Sequence, residues 1–404
     1  MKMKLLALAV AGAFVAPVAM AEHEEGVPAN ALGNVTIYGQ VNASFGIVRD
    51  GAVAGASAPV GDFTGSTTRN QVSSDASRLG VKGSEDLGIG TSAIWQIESR
   101  VDVDGSNSAT LGTRNTFVGL SGAGWGTAIL GRHDTPYKVA TRGLDLFADT
   151  IADNRSLMGM TGGGIASHDI RPTDVLAYIS PNMGGFTVAL AYVAGAEQAF
   201  ASDFPNCCDK KGDAWSGYGM YNAGPINASL SYQRVNGGSN AGGFTGFTNS
   251  AQTVPFGIGD DHDATAWKLG GGYTMDAFAV NAAYEHTTGD LGGGDTLDQN
   301  NWYLAGKFNF TPNDAVKLAY THAGKAHQAS VDEVADSDAH QWSVGYDHNL
   351  SKRTMVYALY TKLNNGGNAQ YALNPSAITD VTGGVSGGAG SDPSAFALGI
   401  KHSF

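Results

Sequence analysis

The strongest constraint on this chain is a period of two in its hydrophobic residues that begins near Asn34 and is still running at Phe404. In VTIYGQVNASF, Val35, Ile37, Gly39, Val41, Ala43 and Phe45 fall on one face, with Thr36, Tyr38, Gln40, Asn42 and Ser44 on the other. In SAFALGIKHSF, Phe396, Leu398, Ile400, His402 and Phe404 oppose Ala395, Ala397, Gly399, Lys401 and Ser403. Successive side chains of a strand point to opposite faces, so each segment reads as a β-strand with different surroundings on its two sides. In a soluble sandwich the apolar face looks into a core. In a membrane barrel it looks out into lipid, and the small or polar face lines a lumen.

The pattern recurs in sixteen candidate strands, most cleanly where Trp302, Leu304, Gly306, Phe308 and Phe310 oppose Tyr303, Ala305, Lys307 and Asn309. Short turn-like connections such as DLGIG, GAGWG, NMGG and TPND alternate with long ones. The long ones run over 49–74, 103–113, 134–172, 196–213, 236–263, 287–298, 325–340 and 364–393. This interleaving gathers every long loop at one end, which a sandwich has no reason to do and an outer-membrane barrel does. The expectation is an all-β chain forming one 16-stranded antiparallel transmembrane β-barrel over residues 22–404.

The N-terminal stretch carries Lys2 and Lys4, an apolar run interrupted by Pro17, and Ala19-Met20-Ala21 before Glu22, which reads as a signal peptide, 1–21, cleaved after Ala21. Beyond it no apolar run reaches the ~18 residues of a spanning helix. A formal charge of -13 disfavours a binder that tracks phosphates, so no nucleic-acid partner is expected. The two cysteines, Cys207 and Cys208, are adjacent and read as a loop clip, an intermolecular link or two free thiols, without the Cys-X-X-Cys spacing of redox catalysis.

RLGVKGSEDLG (78–88), RNTFVGLSGAGWGTAILGRHDTP (114–136), LAYISPNMGGFTVALAY (176–192) and the final phenylalanine resemble the general trimeric porins of Gram-negative outer membranes over essentially the whole mature chain. The resemblance implies a water-filled barrel, a homotrimer, outer-membrane lipid and lipopolysaccharide as surroundings, passage of ions and small hydrophilic solutes, no cofactor, and a third external loop folded inward. It also implies that the last strand, with Phe396, Leu398, Ile400 and Phe404, closes the barrel and that its terminal aromatic is read by the barrel-assembly machinery.

The third long loop is the candidate filter, because a connection of that length is uncommon without a task. Its LDLFADTIAD places Asp145, Asp149 and Asp153 four apart, on one face if the segment makes a helical turn or two. Arg78 and Arg114 lie on the polar faces of their strands and Arg171 heads the strand after the loop. By motif these three match the family's constriction arginines, with Lys82 and Arg100 as weaker additions and Gln40 where several relatives carry lysine. Acids facing bases across a narrow aperture would set up a transverse field that sorts solutes by charge. Arg132, His133 and Asp134 adjoin the loop root and read as bonds holding it. Tyr357, Tyr320, Trp302, Tyr346 and Phe404 fit outward parity for interfacial aromatic belts.

Other motifs carry little. Gly384–Gly388 satisfies G-x-S-x-G but lies in a glycine-rich loop without the strand and helix a nucleophile elbow needs. Ser167, His168 and Asp169 are adjacent on the chain, which prevents the mutual geometry of a catalytic triad. His322 and His327 lack the partners of a metal site. A passive diffusion channel is therefore expected, ahead of a substrate-selective channel, for which inward aromatics such as Tyr38 and Tyr303 are few, and of a barrel whose loops act as adhesin, receptor or enzyme.

Overall fold

The computed structural model describes residues 34–51, 68–105, 111–161, 166–194, 212–236, 263–292, 295–330, 332–373 and 389–404. The signal segment 1–21, the domain start at 22, Cys207 and Cys208 and the Gly384–Gly388 motif lie outside them.

Sixteen antiparallel strands form a closed barrel. The first five are β1 (Asn34–Arg49), β2 in two segments (Thr68–Ser74 and Arg78–Asp86), β3 (Ser92–Arg100), β4 (Thr116–Gly122) and β5 (Gly126–Arg132). After the third long loop come β6 (Val175–Ile179), β7 (Phe186–Ala194), β8 (Asp213–Ala223), β9 (Ile226–Asn236) and β10 (Asp263–Met275). The circuit finishes with β11 (Phe278–Gly292), β12 (Asp295–Asn309), β13 (Asp314–Ala323), β14 (Ala339–Asn349), β15 (Thr354–Asn365) and β16 (Ser394–Ser403). Each strand pairs with its sequence neighbours, and β16 returns to β1 in register from Gln40 opposite Ser403 to Arg49 opposite Ser394. Closure leaves no unpaired edge, which a sheet in hydrocarbon cannot tolerate.

The break in β2 is stitched to β1. Asp75 N donates to Asn42 O at 2.8 Å, Ser77 Oγ accepts from Asn42 N and donates to Asn42 O, both at 2.8 Å, and Ala76 turns the chain at φ 56°. The outward faces carry exposed Val35, Ile37, Phe45, Leu230, Leu269, Leu304, Leu318 and Leu398, a surface suited to lipid and to no aqueous environment. The rings of Trp302 and Tyr320 lie tilted with centres 5.1 Å apart, and Phe310 stacks near Tyr346 at 6.2 Å, on that outer surface, in keeping with their parity. Tyr357 departs from it: the side chain points into the lumen, is buried, and donates to Asp75 Oδ2 at 2.8 Å and Asn42 Oδ1 at 3.1 Å. Parity misleads on β15 because both of its faces are apolar, Met355 and Leu359 inward, Val356 and Ala358 outward.

The expected long loop over 287–298 is also corrected. β11 and β12 run on to Gly292 and from Asp295, so strand pairing continues through the segment, with a register shift between Asp290 and Gly292. Thr265 and Thr288 share a hydroxyl hydrogen bond of 2.6 Å that carries the ladder onto β10.

Candidate functional site

The connection from β5 to β6, here loop 3, enters the lumen through a short helix, α1 (Pro136–Arg142). Thr135 caps it by accepting from Lys138 N at 3.4 Å, and Pro136 sits where a missing N–H costs nothing. Arg142 ends the helix where a cation is favoured. The loop stays inside because it is apolar on its wall side: Leu144, Phe147, Ile151, Leu157, Met158 and Met160 are all buried. Burying side chains of that size contributes roughly 1.5–3 kcal/mol each relative to exposure.

One carboxylate on the wall fixes both ends of the insert. Glu285 of β11 accepts from Tyr137 Oη at 2.7 Å and Gly159 N at 2.6 Å, and from Asn301 Nδ2 of β12 at 2.9 Å. Lys268, its cross-strand partner on β10, stands 3.2 Å from Glu285 Oε2 and reaches Asp169 on the returning limb. Its ammonium also lies 4.2 Å from the centre of the Tyr137 ring. Asp169 is thus an ion-pair partner of Lys268.

Between these anchors the three acids converge, although no helical face brings them together. α1 stops at Arg142, and the chain instead wraps around that guanidinium. Arg142 Nη2 donates to Asp149 Oδ1 at 2.7 Å and Asp153 Oδ2 at 2.8 Å, and Nη1 to Asp145 Oδ2 at 3.5 Å. Asp153 is fully buried, caps the 3₁₀ turn Asn154–Ser156, and takes a second guanidinium, Arg155, at 3.0 Å. Asp145 accepts from Phe147 N at 2.9 Å, Asn154 N at 3.1 Å and Tyr303 Oη at 3.3 Å, and its side chain is 1% exposed. The expectation that all three line an aperture is therefore corrected for Asp145 and Asp153, whose oxygens face inward on the loop. Asp149, at φ 60°, is the one that reaches across, to Arg78 Nη1 on β2 at 3.4 Å, while its carbonyl accepts from Asn42 Nδ2 at 3.0 Å.

Protonation follows this geometry. Burial, and then the charge of Asp153, push Asp145 up to about 6 against the opposing pull of Arg142. Burial also works against the charged forms of Asp149 and Asp153, but Arg142 with Arg78 for the first, and Arg142 with Arg155 for the second, hold them below the usual carboxylate range.

The basic residues divide. Arg78 faces the loop and also lies 3.5 Å from Gln40 Oε1. Arg114 is turned onto Glu98 of β3 at 2.6 Å, whose other oxygen accepts from Tyr38 at 3.0 Å. Arg171 is at the loop root and away from the acids, bonded to Asn115 Oδ1 at 3.0 Å and paired with Asp134 at 3.0 Å. Asp134 also takes Lys138 at 2.8 Å, so it holds the root as its position suggests. Arg100 pairs with Asp102, and Lys82 stands 5.2 Å from the centre of the Tyr38 ring. Sequence reasoning passed over Lys401, Lys307 and Lys317, inward by strand parity. Lys317 pairs with Asp347 at 2.9 Å and lies 4.7 Å from the Phe147 ring; Lys82, Lys307 and Lys401 form no direct ion pair with a carboxylate among the described residues, although Lys401 feels the charge of Asp149 and Lys307 that of Asp347. The signal was present, since a lysine on the polar face of an outward-apolar strand has to enter the lumen.

A closed sixteen-stranded barrel, lipid-compatible outside, charged inside and narrowed by an infolded loop, defines a diffusion channel of the outer-membrane type. The chain belongs to the Gram-negative porin family, whose profile matches residues 7–368. It is similar to outer membrane porin protein 32 of Delftia acidovorans, 29% identical over 412 residues with 100% of both chains covered. A porin of Bordetella pertussis is 26% identical, over 93% of this chain and 96% of its own. Among solved structures, an anion-selective porin from Comamonas acidovorans superposes with a TM-score of 0.69 at 25% identity, over 92% of this chain and 100% of that one. The protein is an outer-membrane porin that lets ions and small hydrophilic solutes diffuse through a water-filled channel.

Proposed function

We propose that the channel prefers anions, that the preference is set by the inward lysines Lys82, Lys307 and Lys401, and that loop-3 carboxylates, neutralised by arginines, contribute little. The observation that carries this reading is the convergence of Asp145, Asp149 and Asp153 on Arg142. Three carboxylates are matched by Arg142, Arg155 and Arg78, so the loop presents little net charge, while the three lysines form no direct ion pair with a carboxylate among the described residues. Fixed charge on a low-dielectric wall focuses the field in the aperture and raises the local concentration of its counter-ion. The anion selectivity of the Comamonas acidovorans porin points the same way.

The proposed assembly is a homotrimer packed through β1, β2, β15 and β16. Phe45, Val72, Val356, Leu398 and Ile400 surround the small Ala43, Ala358 and Gly399 and form a shallow apolar groove on the outer wall, a shape that another copy fills better than fluid lipid chains. The zero-current potential of single channels in a potassium chloride gradient tests the selectivity: the anion sign is expected at low salt and should shrink toward zero at ~1 M, where the Debye length is ~3 Å. A cation sign overturns the reading. Mass measurement of the unheated, detergent-purified protein tests the trimer, and a lone monomer overturns it.

A further inference from the structure

The last long connection, between β15 and β16, supplies a second apolar insert. Ala369, Tyr371 and Leu373 are each 0% exposed, and they belong to one buried cluster with Phe147, Ile151 and Leu157 of loop 3. Leu359 and Leu363 of β15 form the wall of that cluster, which is why β15 is apolar on its lumen face as well as its lipid face. Specific polar contacts hold the segment in. Asn365 imitates a strand partner for Tyr371: its Oδ1 accepts from Tyr371 N at 3.0 Å and its Nδ2 donates to Tyr371 O at 3.0 Å. Tyr371 Oη accepts from Gln299 Nε2 of β12 at 2.7 Å. The neighbouring connection supports it from the other side, with Gly366 N on Asp338 O at 2.8 Å and Asn368 N on Asp336 O at 2.9 Å. A Cβ at Gly366 would come within 2.4 Å of Asp336 O, so this approach requires glycine.

Building on the porin assignment, we propose that residues 369–373 are a second part of the channel's size filter: a wedge that seats loop 3 from the outer side and occupies lumen cross-section along β12–β16. An exposed loop tip has no physical reason to bury a tyrosine and a leucine and to satisfy the tyrosine hydroxyl. Here the burial is completed between the barrel wall and loop 3, so the position of each insert depends on the other. The wedge acts by volume and by seating, and it adds no charge to the filter.

Single-channel conductance and uptake of neutral sugars of graded size test this. Two variants serve: Tyr371→Ala with Leu373→Ala, and a chain in which residues 367–390 are replaced by a short Gly-Ser linker, which leaves all sixteen strands in place. Both should raise conductance roughly twofold, admit larger sugars and increase current noise as loop 3 loses its seat, because flux through a constriction follows its free cross-section. Folded variants of both kinds with wild-type conductance and size cut-off overturn the proposal. If the paired alanine variant does not fold, the linker variant decides. A wild-type protein that conducts no ions would instead sink the channel assignment on which this rests.

Discussion

The ring of Phe404 covers the α-carbon of Gly39, and the two residues exchange both backbone hydrogen bonds, each 3.1 Å long. A Cβ on Gly39 would lie 2.5 Å from the Phe404 ring and 2.7 Å from the carbonyl oxygen of Arg78. The ring can swing aside, but the carbonyl belongs to the β1–β2 ladder and can move only with β2. Gly39→Val should therefore lower the thermal unfolding midpoint of the folded barrel more than Phe404→Leu, measured by circular dichroism in detergent. An unchanged midpoint for Gly39→Val would mean that the seam between first and last strands carries no strain-sensitive packing.

Glu285 joins the two limbs of loop 3, so truncating it leaves Lys268 buried beside a single acid, Asp169. Removing one member of a buried ion pair costs about 3–5 kcal/mol, here charged against loop docking and not against the strands. Glu285→Ala should retain the barrel's circular dichroism and show noisy conductance substates, with Glu285→Gln intermediate because the amide oxygen still accepts from Tyr137 or Gly159. Quiet, wild-type-like traces from the alanine variant contradict this anchoring role.

A pH step follows from Asp145. Its folded carboxyl is raised from 3.8 to about 6, so between those values the folded loop holds a proton that the unfolded loop lacks, and docking gains as pH falls through the window. Asp149 and Asp153 are shifted the other way and contribute stability that is lost only at stronger acidity. With Asp145 protonated, two carboxylates face Arg142, Arg155 and Arg78. Because Asp145 is buried behind Arg142, the proton should steady loop docking: current noise should fall between pH 7 and pH 5 with little change in selectivity, and Asp145→Asn should remove the pH dependence of the noise. Current noise that is flat over this range would contradict a carboxyl that gains its proton in the docked loop.

The barrel was legible because lipid and water impose opposite demands on alternate residues, as in VTIYGQVNASF and SAFALGIKHSF, and no tertiary detail is needed to read that. The loop was legible only in outline. Spacing of four suggested a helical face for Asp145, Asp149 and Asp153, yet the local driving force is satisfaction of buried carboxylates by one arginine, and Arg142 was not weighed. Leu144, Phe147 and Ile151 were the missed clue, since an external loop this apolar must find a wall to cover. Tyr357 and the strands flanking 293–294 went astray for related reasons: alternation reports which environment lies on each side, and it loses contrast where loops bury the lumen face or where, as in TTGD, both faces of a strand are polar or small.

The central claim is that the wall lysines outside any direct ion pair, and not the loop acids, set the selectivity. Its most direct test is the zero-current potential of Lys82→Gln with Lys307→Gln and Lys401→Gln, measured at low salt beside Asp145→Asn with Asp153→Asn at neutral pH. The lysine variant should lose most of the anion preference while conducting, and the acid variant should change selectivity far less than its altered charge suggests, because those carboxylates are buried against Arg142 and Arg155. An unchanged potential in the triple lysine variant, with the acid variant shifting strongly toward anions, would contradict the account.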